Sequence, residues 1–405
     1  MKKVDVIIIG AGMSGLSCAL MCHQNGLTYK IIEKSNRLGG RVGSIIENGY
    51  IFDIGFQVYN TGYKITNSIL EIDKLDLFKF KPGAAIYYEN NFKIISDPLR
   101  DFSKIFSTIR SELLNMSDKI KIFSLKMALS KYSIKEDQSE DKSTIDFLKE
   151  YGFSNNAINN FFKPFFSGIF LEKDLDTSSK FFKFVFSKFN NGYAAVPYQG
   201  MQAIPDQIFN KLNLDSIIFN RELVQVEQNN SLRLDDNTIL EAEKVVLTGE
   251  SSKIVAKNHS IDFNRSTTVY FSSEIKPQKG NYIHLFPNDE LINNISILTS
   301  ISQKYSSKTD HLYSITILDN IYDDSKLISK IKLSLKKYYG GNLSDFKFLK
   351  KFKIKKATIK QSPGFFDIKK DSDANFIFAG DQFTNGSIEG AVVSGINAAK
   401  EVFRN

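Results

Sequence analysis

The sequence predicts an α/β protein: a discontinuous Rossmann-like nucleotide-binding domain with an α+β domain inserted into it. Two observations predict this. Near the N-terminus an apolar run, Val4 to Ile9, stops at Gly10-x-Gly12-x-x-Gly15, and an amphipathic segment follows. Near the C-terminus a strand, Asn375 to Ala379, runs into Gly380-Asp381 and then another helix, about 370 residues later. Read alone the second unit is an ordinary strand–loop–helix, and its place in the first unit's domain rests on the motifs at both ends.

The first unit has the strand–turn–helix order of a dinucleotide fingerprint. Gly10 permits the tight turn, Gly12 lets a pyrophosphate approach the backbone, and Gly15 lets the helix pack close to the strand. Met13 and Ser14 open that helix, whose free N–H groups face phosphate charge. A second apolar strand, Tyr29 to Ile32, leads to Glu33, 18 residues after Gly15. There a carboxylate can bind the adenosine ribose hydroxyls, with Lys34 beside it. This much does not separate FAD from NAD.

The next residues do. Leu38-Gly39-Gly40-Arg41 follows at once, giving E-x-x-x-x-x-G-G-R. The glycines bring backbone close to a ligand, and Arg41 offers a fixed fork of donors to phosphate or flavin oxygens. With these residues the chain resembles the flavin amine oxidase superfamily. That group includes monoamine and polyamine oxidases, protoporphyrinogen oxidases and phytoene desaturases. The resemblance implies FAD as cofactor, in a Rossmann-like domain of the GR2 type.

The same resemblance reads the C-terminal unit. Asp381, after Gly380, would hold the ribitol chain. Gly386-Ser387-Ile388-Glu389-Gly390-Ala391 would open a helix whose N-terminus points at flavin N1 and the C2 carbonyl, with Ser387, Ile388 and Ala391 in contact. A reduced flavin is negative at N1, and a helix N-terminus carries about half a positive charge. In Phe52-Asp53-Ile54-Gly55-Phe56-Gln57-Val58-Tyr59, the residues Gly55, Phe56 and Gln57 would run beside the flavin ring. In the middle of the chain, Pro197-Tyr198-Gln199-Gly200-Met201 leads into a helix, Ala203 to Leu212. Strands follow at Glu222 to Glu227, Ser231 to Leu234, Ile239 to Glu241 and Lys244 to Thr248, with polar turns at Asn229-Asn230 and Asp235-Asp236-Asn237. The resemblance puts this meander in the FAD domain, its first strand meeting adenine near Leu223 and Val224.

The expected organisation is therefore an FAD-binding domain of residues 1–60, 197–262 and 355–405, with a substrate-binding domain of residues 61–196 and 263–354. The first insert reads as largely helical, with a polar break at Lys131 to Ser143 and a helix N-cap at Ser143-x-x-Asp146. The second has alternating segments suited to a sheet, Thr267 to Phe271 and Leu312 to Leu318. A Phe-rich stretch, Phe161 to Leu171 and then Thr177 to Asn190, reads first as helical core. Its sharper alternative is the wall of an apolar tunnel or a greasy surface on a membrane. The pattern F-F-x-P-F-x-x-G-I-F-L, then T-S-S, resembles the bacterial phytoene-desaturase-like and protoporphyrinogen-oxidase-like branch.

Composition narrows the rest. At 405 residues, 42% of them hydrophobic, the chain has room for two domains, and it has no stretch long enough to cross a membrane. A first strand at Val4 leaves no signal peptide expected, which gives a cytoplasmic location, with the periphery of the inner membrane as the alternative. The net charge of +8 comes from Lys and Arg read as spread along the chain, so nucleic acid is not an expected partner. Cys18 and Cys22, one helical turn apart, read as core, and four scattered histidines show no metal-ligand spacing.

The chain departs from its relatives in two places. Many amine oxidases carry an aromatic cage residue where this chain has Ser387. Monoamine oxidases bind FAD through a late Cys, and here no Cys follows Cys22. The expectation is non-covalent FAD, with no catalytic side chain named. The substrate is an apolar small molecule, isoprenoid- or tetrapyrrole-like, that gives up a hydride from a C–H bond, with oxygen or a quinone reoxidising the flavin. The alternatives are an amine oxidase and, from another class, a flavin-free prenyl-binding protein of the GDP-dissociation-inhibitor type.

Overall fold

The computed structural model describes residues 3–96, 113–227, 231–255, 261–319, 321–367 and 376–404. Val4–Ile9 is the centre of a seven-stranded sheet. It pairs in parallel with Tyr29–Glu33 on one side and Ile239–Thr248 on the other, and Ile217–Phe219 and Phe376–Ala379 extend the parallel part. Both faces are covered, as a parallel sheet requires. Val6 and Ile8 pack on the first helix, Met13–Gln24, and the C-terminal helix, Ile388–Phe403. Ile7 and Ile9 pack on the Leu223–Leu240 side.

Ile239–Thr248 is one strand, where the sequence pattern suggested two. Its Ile239–Glu241 end pairs antiparallel with Ser231–Leu234, and its Ala242–Leu247 part pairs with the first strand. The polar residues Glu241 and Glu243 mark a change of partner rather than a break. The preceding helix, Ala203–Phe209, is shorter than read. The turn at Asn229-Asn230, and Asn375, lie outside the described residues.

A second seven-stranded sheet runs in the order Lys347–Ile359, Phe263–Ser273, His311–Ile317, Asn294–Ile297, Ile283–Leu285, Gly83–Tyr88, Asn91–Ser96. The last two strands correct the helical reading of the first insert. They form a hairpin turned at Glu89-Asn90, with φ of +50° and +60°. A two-residue polar turn between apolar runs was the signal for it. The N-cap at Ser143 is present, its hydroxyl accepting from Asp146 N at 3.2 Å. A dense run of six lysines, Lys347 to Lys356, sits on the sheet's edge strand, with Lys360 just beyond it, so the cations are less evenly spread than composition suggested. Lysines on an edge discourage strand-to-strand association.

One face of this sheet is apolar: Val269, Phe271, Ile295, Ile297, Tyr313 and Ile315 pack on Leu327, Ile331 and Leu335 of the helix Asp324–Tyr339. The other face is buried yet polar, carrying Thr268, Tyr270, Asn294, Ser296, Ser314 and Thr316. Among the described residues the side-chain polar atoms of Asn294, Ser296 and Thr316 have no hydrogen-bond partner. Each such group forfeits its hydration for nothing. Thr316→Val keeps the shape and removes the hydroxyl, so it should raise the unfolding free energy by about 1 kcal/mol. Chemical denaturation would check this, and a loss of similar size would show the hydroxyl to be bonded.

The Phe-rich stretch forms helices Lys163–Phe170 and Ser179–Asn191. Phe162, Phe166, Phe170, Phe181 and Phe182 are buried, with the Phe166 and Phe182 ring centres 4.7 Å apart. It is core, the first of its two readings.

Candidate active site

The fingerprint glycines each meet a different surrounding. Gly10, at φ +99°, would place a Cβ 2.4 Å from Thr248 Oγ1, and a Cβ on Gly15 would lie 1.9 Å from the Gly10 carbonyl oxygen. Both are closed by packing. A Cβ on Gly12 would meet nothing within 4 Å. Gly12 is also the N-cap of the first helix and supplies no side-chain cap, and the open space lies at its own Cβ position. An uncapped helix start with room in front of it suits an anion.

Glu33 closes one side of this space. Its carboxylate is buried and accepts from Ala11 N at 2.7 Å, Ser35 N at 2.8 Å and Ser35 Oγ at 2.7 Å. Gly39 and Gly40 close another. Gly39 N donates to the Ala11 carbonyl at 2.9 Å, and a Cβ on Gly40 would stand 3.2 Å from Gly12 Cα. Lys34 points outward beside Glu222. The Leu223 side chain is in the core and that of Val224 is 59% exposed, while Arg221 N just before them donates to the Glu33 carbonyl. That bond ties the residue before the strand to the backbone of Glu33.

Arg41 and Asp381 join the two ends of the chain, Nη2 to Oδ1 at 2.6 Å. Asp381 is buried behind Gly380, whose N–H donates to Ser394 Oγ at 2.9 Å. Ser387 is the N-cap of the C-terminal helix: its hydroxyl accepts from Gly390 N at 2.9 Å and donates to Asn385 Oδ1 at 2.6 Å. Ile388 and Ala391 lie half-buried in the first turn. The two helices touch where a Cβ on Gly395 would lie 2.1 Å from the Ser14 carbonyl oxygen.

The segment at Gly55 bridges to the second sheet. Phe56 N donates to Thr268 Oγ1 at 3.2 Å. Gln57 Nε2 donates to the Arg41 carbonyl at 3.1 Å and the Ile54 carbonyl at 2.6 Å, so its amide braces the loop. Thus Gly10 to Gly15, Glu33, Gly39 and Gly40 form one cluster. Arg41, Gln57 and Asp381 form a second, in sequence with it through Gly40.

Sequence reasoning missed two groups here. Asp53 is fully buried. Its carboxylate accepts from Ser44 Oγ at 2.6 Å, Met201 N at 3.0 Å and Tyr305 Oη at 2.9 Å, while Tyr270 Oη donates to its carbonyl at 2.9 Å. Burial pushes its pKa up to about 6 against the pull of these hydrogen bonds. An acid inside the apolar run Phe52-Asp53-Ile54 was the available signal. The other is Tyr63, whose hydroxyl burial pushes up and Ser387 hydrogen-bonds. Nothing in its sequence neighbourhood marks it. Close by, Glu389 accepts from Ile65 N at 3.0 Å, Thr66 N at 2.8 Å and Thr66 Oγ1 at 2.6 Å.

Comparison with known proteins gives the family and the fold. The pattern of the family described as flavin containing amine oxidoreductase matches residues 13–403. Protoporphyrinogen oxidase 2 of Arabidopsis thaliana is 24% identical over 166 residues, which is 40% of this chain and 32% of that protein. An L-amino-acid oxidase of Pseudechis australis is 22% identical over 474 residues, 98% of this chain and 86% of that protein. The match thus spans about a third of the first relative and most of the second. Among solved structures, wild-type putrescine oxidase bound to putrescine superposes with a TM-score of 0.75, covering 100% of both chains at 15% identity. At that identity the likeness shows the fold.

Proposed function

The chain belongs to the flavin containing amine oxidoreductase family, and from that premise we propose that this FAD-dependent oxidoreductase desaturates or oxidises an apolar, uncharged substrate of isoprenoid or tetrapyrrole type. FAD is held non-covalently. Bound flavin accepts a hydride from a C–H bond held against it. The protein supplies position and a dry site.

In this reading the N–H groups at Gly12, Met13 and Ser14 face the pyrophosphate. Glu33 accepts from the ribose, since its two oxygens have acceptor sites beyond the three donors they now hold. Gly39 and Gly40 flank the phosphates, and Arg41 and Asp381 hold phosphate and ribitol as a fixed pair. Gly55 and Phe56 lie beside the ring, with the helix start at Ser387 and Ile388 facing its charged edge. Leu223 and Val224 offer backbone to adenine. Residues 1–60, 197–262 and 360–405 act as the cofactor domain and the remainder as the substrate domain, the expected boundary at 355 moving because Lys347–Ile359 is one strand of the second sheet.

One observation carries the substrate class. Each described carboxylate near these segments is already engaged. Asp53 is held by Ser44, Met201 and Tyr305, Glu389 caps residues Ile65 and Thr66, and Asp381 is paired with Arg41. A cationic amine would have to compete with these internal partners for a carboxylate, and a buried cation without a partner is costly. Protoporphyrinogen oxidase among the relatives supports the same side. An apolar substrate partitions into lipid, so peripheral contact with a membrane belongs to this reading.

Anaerobic reduction of the bound flavin by a compound panel tests it. Polyenes, protoporphyrinogen and its precursors, polyamines, aryl amines and amino acids are mixed in turn with the holoenzyme. Bleaching by a polyene or a porphyrinogen is expected, with polyamines and amino acids inert. Fast bleaching by spermidine or an amino acid, with the apolar compounds inert, would move the enzyme to the amine oxidase side.

A further inference from the structure

We infer that the cleft beside the helix Asp324–Tyr339 binds a small organic phosphate, an apolar body with a diphosphate-like head that meets Arg265, Lys353 and Lys355. The cleft has a volume of about 1210 Å³. That helix, residues 286–293, the start of the strand Phe263–Ser273 and the edge strand Lys347–Ile359 line it. Thr267 pairs with Lys353 and Val269 with Lys351, so these lysines share the sheet face that packs on the helix. Ile354, between Lys353 and Lys355, points the other way: a Cβ on Gly55 would lie 2.6 Å from its Cδ1. The two lysines therefore face away from the proposed flavin site.

The chain supplies acids for other cations nearby and not for these. Lys351 pairs with Asp324 at the helix start, Lys163 with Asp174 at 3.2 Å and Lys173 with Asp319 at 3.1 Å. Asp289 is also engaged, accepting from Leu291 N and Ile292 N at 2.8 Å and from Ser334 Oγ at 3.1 Å. Among the described residues the side chains of Arg265, Lys353 and Lys355 have no ion-pair partner, and all three are exposed in the cleft. Protection of a sheet edge accounts for lysines on the outer strand, but not for an arginine on the inner one. Lys353 and Lys355 stand two residues apart on one face, about 7 Å at the backbone. Charges spread over that length suit a ligand with more than one anionic group, and a guanidinium fork beside ammonium donors suits phosphate. At the helix wall Ile321 and Leu333 are 83% and 57% exposed. They give an apolar body a surface to lie on, so a short hydrocarbon carrying a diphosphate matches both walls.

This site is separate from the flavin cradle and stands whatever substrate is oxidised. Isothermal titration of the FAD-saturated protein with geranyl diphosphate, inorganic pyrophosphate and geraniol tests it. Saturation with FAD keeps the pyrophosphate out of the flavin site. Geranyl diphosphate is expected to bind most tightly, pyrophosphate more weakly and geraniol not at all, with salt weakening the first two. Lys353→Ser with Lys355→Ser should weaken geranyl diphosphate binding at least about tenfold. Lys347→Ser with Lys356→Ser removes the same charge from the same strand outside the cleft, and should leave binding unchanged. FAD content and circular dichroism should match the wild type in both pairs. Three results would each overturn the inference: no binding of geranyl diphosphate, equal weakening by the two pairs, or geraniol binding more tightly than pyrophosphate. Equal weakening would mean that diffuse positive charge, rather than the cleft, holds the anion.

Discussion

Gly12→Val should give a folded protein that cannot hold FAD. A Cβ at Gly12 meets no protein atom within 4 Å, and its φ of −72° is open to any residue. The chain itself therefore tolerates the change. The valine methyls would enter the space in front of the uncapped helix start, where the pyrophosphate is proposed to lie. Loss of at least about a thousandfold in FAD affinity, some 4 kcal/mol, is expected. Circular dichroism should be unchanged. Glu33→Ala should weaken FAD by only ~1–3 kcal/mol, through lost ribose hydrogen bonds. Gly15→Val behaves differently, because its Cβ would overlap the Gly10 carbonyl and damage the fold. Fluorescence titration of apoprotein with FAD separates these cases. Equal affinity in the wild type and Gly12→Val would refute the assigned site.

Asp53→Ala should cost about 3–5 kcal/mol of stability, since it leaves the buried donors Ser44 Oγ, Met201 N and Tyr305 Oη without an acceptor. These donors come from three parts of the chain, and Tyr270 adds a fourth tie through the Asp53 backbone. The loop from Ile54 to Gln57 hangs on this point, so FAD affinity should fall as well. Asp53→Asn is milder. Its oxygen still accepts from Met201 N and Ser44, and its amide nitrogen can donate to the Tyr305 oxygen. The acid also gives a pH signature. Its folded pKa, about 6, stands above the ordinary 3.8. Between these values the folded state binds more proton than the unfolded state. The Asp53 contribution therefore makes stability fall as pH rises from about 4 to 6 and stay level above, by on the order of 2–3 kcal/mol. Thermal melts of the wild type against Asp53→Asn over this range should isolate that slope. A difference of the opposite sign would show the carboxyl to be held charged by its donors.

The parts of the fold legible in the sequence are those where backbone conformation demands a residue type. Gly10, Gly15, Gly39 and Gly40 are needed because a side chain would be strained or would overlap a neighbour. Their spacing alone pointed to the proposed nucleotide cradle, and motifs at the two ends marked Arg41 and Asp381 separately, while their pairing appears only in the structure. What escaped depends on contacts distant in sequence. The hairpin Gly83–Ser96 gains its sheet only by pairing with Ile283–Leu285, some 200 residues on. Ile239–Thr248 looked divided because its two halves serve different neighbours. Tyr63 reaches Ser387 through packing that no local pattern encodes. The Phe-rich stretch was ambiguous because ring-on-ring core and a greasy cavity share one composition, and burial settled it as core. Conversely, Met116, Ile120, Phe123 and Met127 have core spacing and are exposed.

The most direct measurement of the central claim is the absorbance spectrum of the purified protein before and after denaturation. The expected result is a yellow protein with flavin bands and about one FAD per chain, all of it released into solution when the protein is denatured. A colourless protein that takes up no added FAD would contradict it, and would favour the flavin-free binding proteins of related fold.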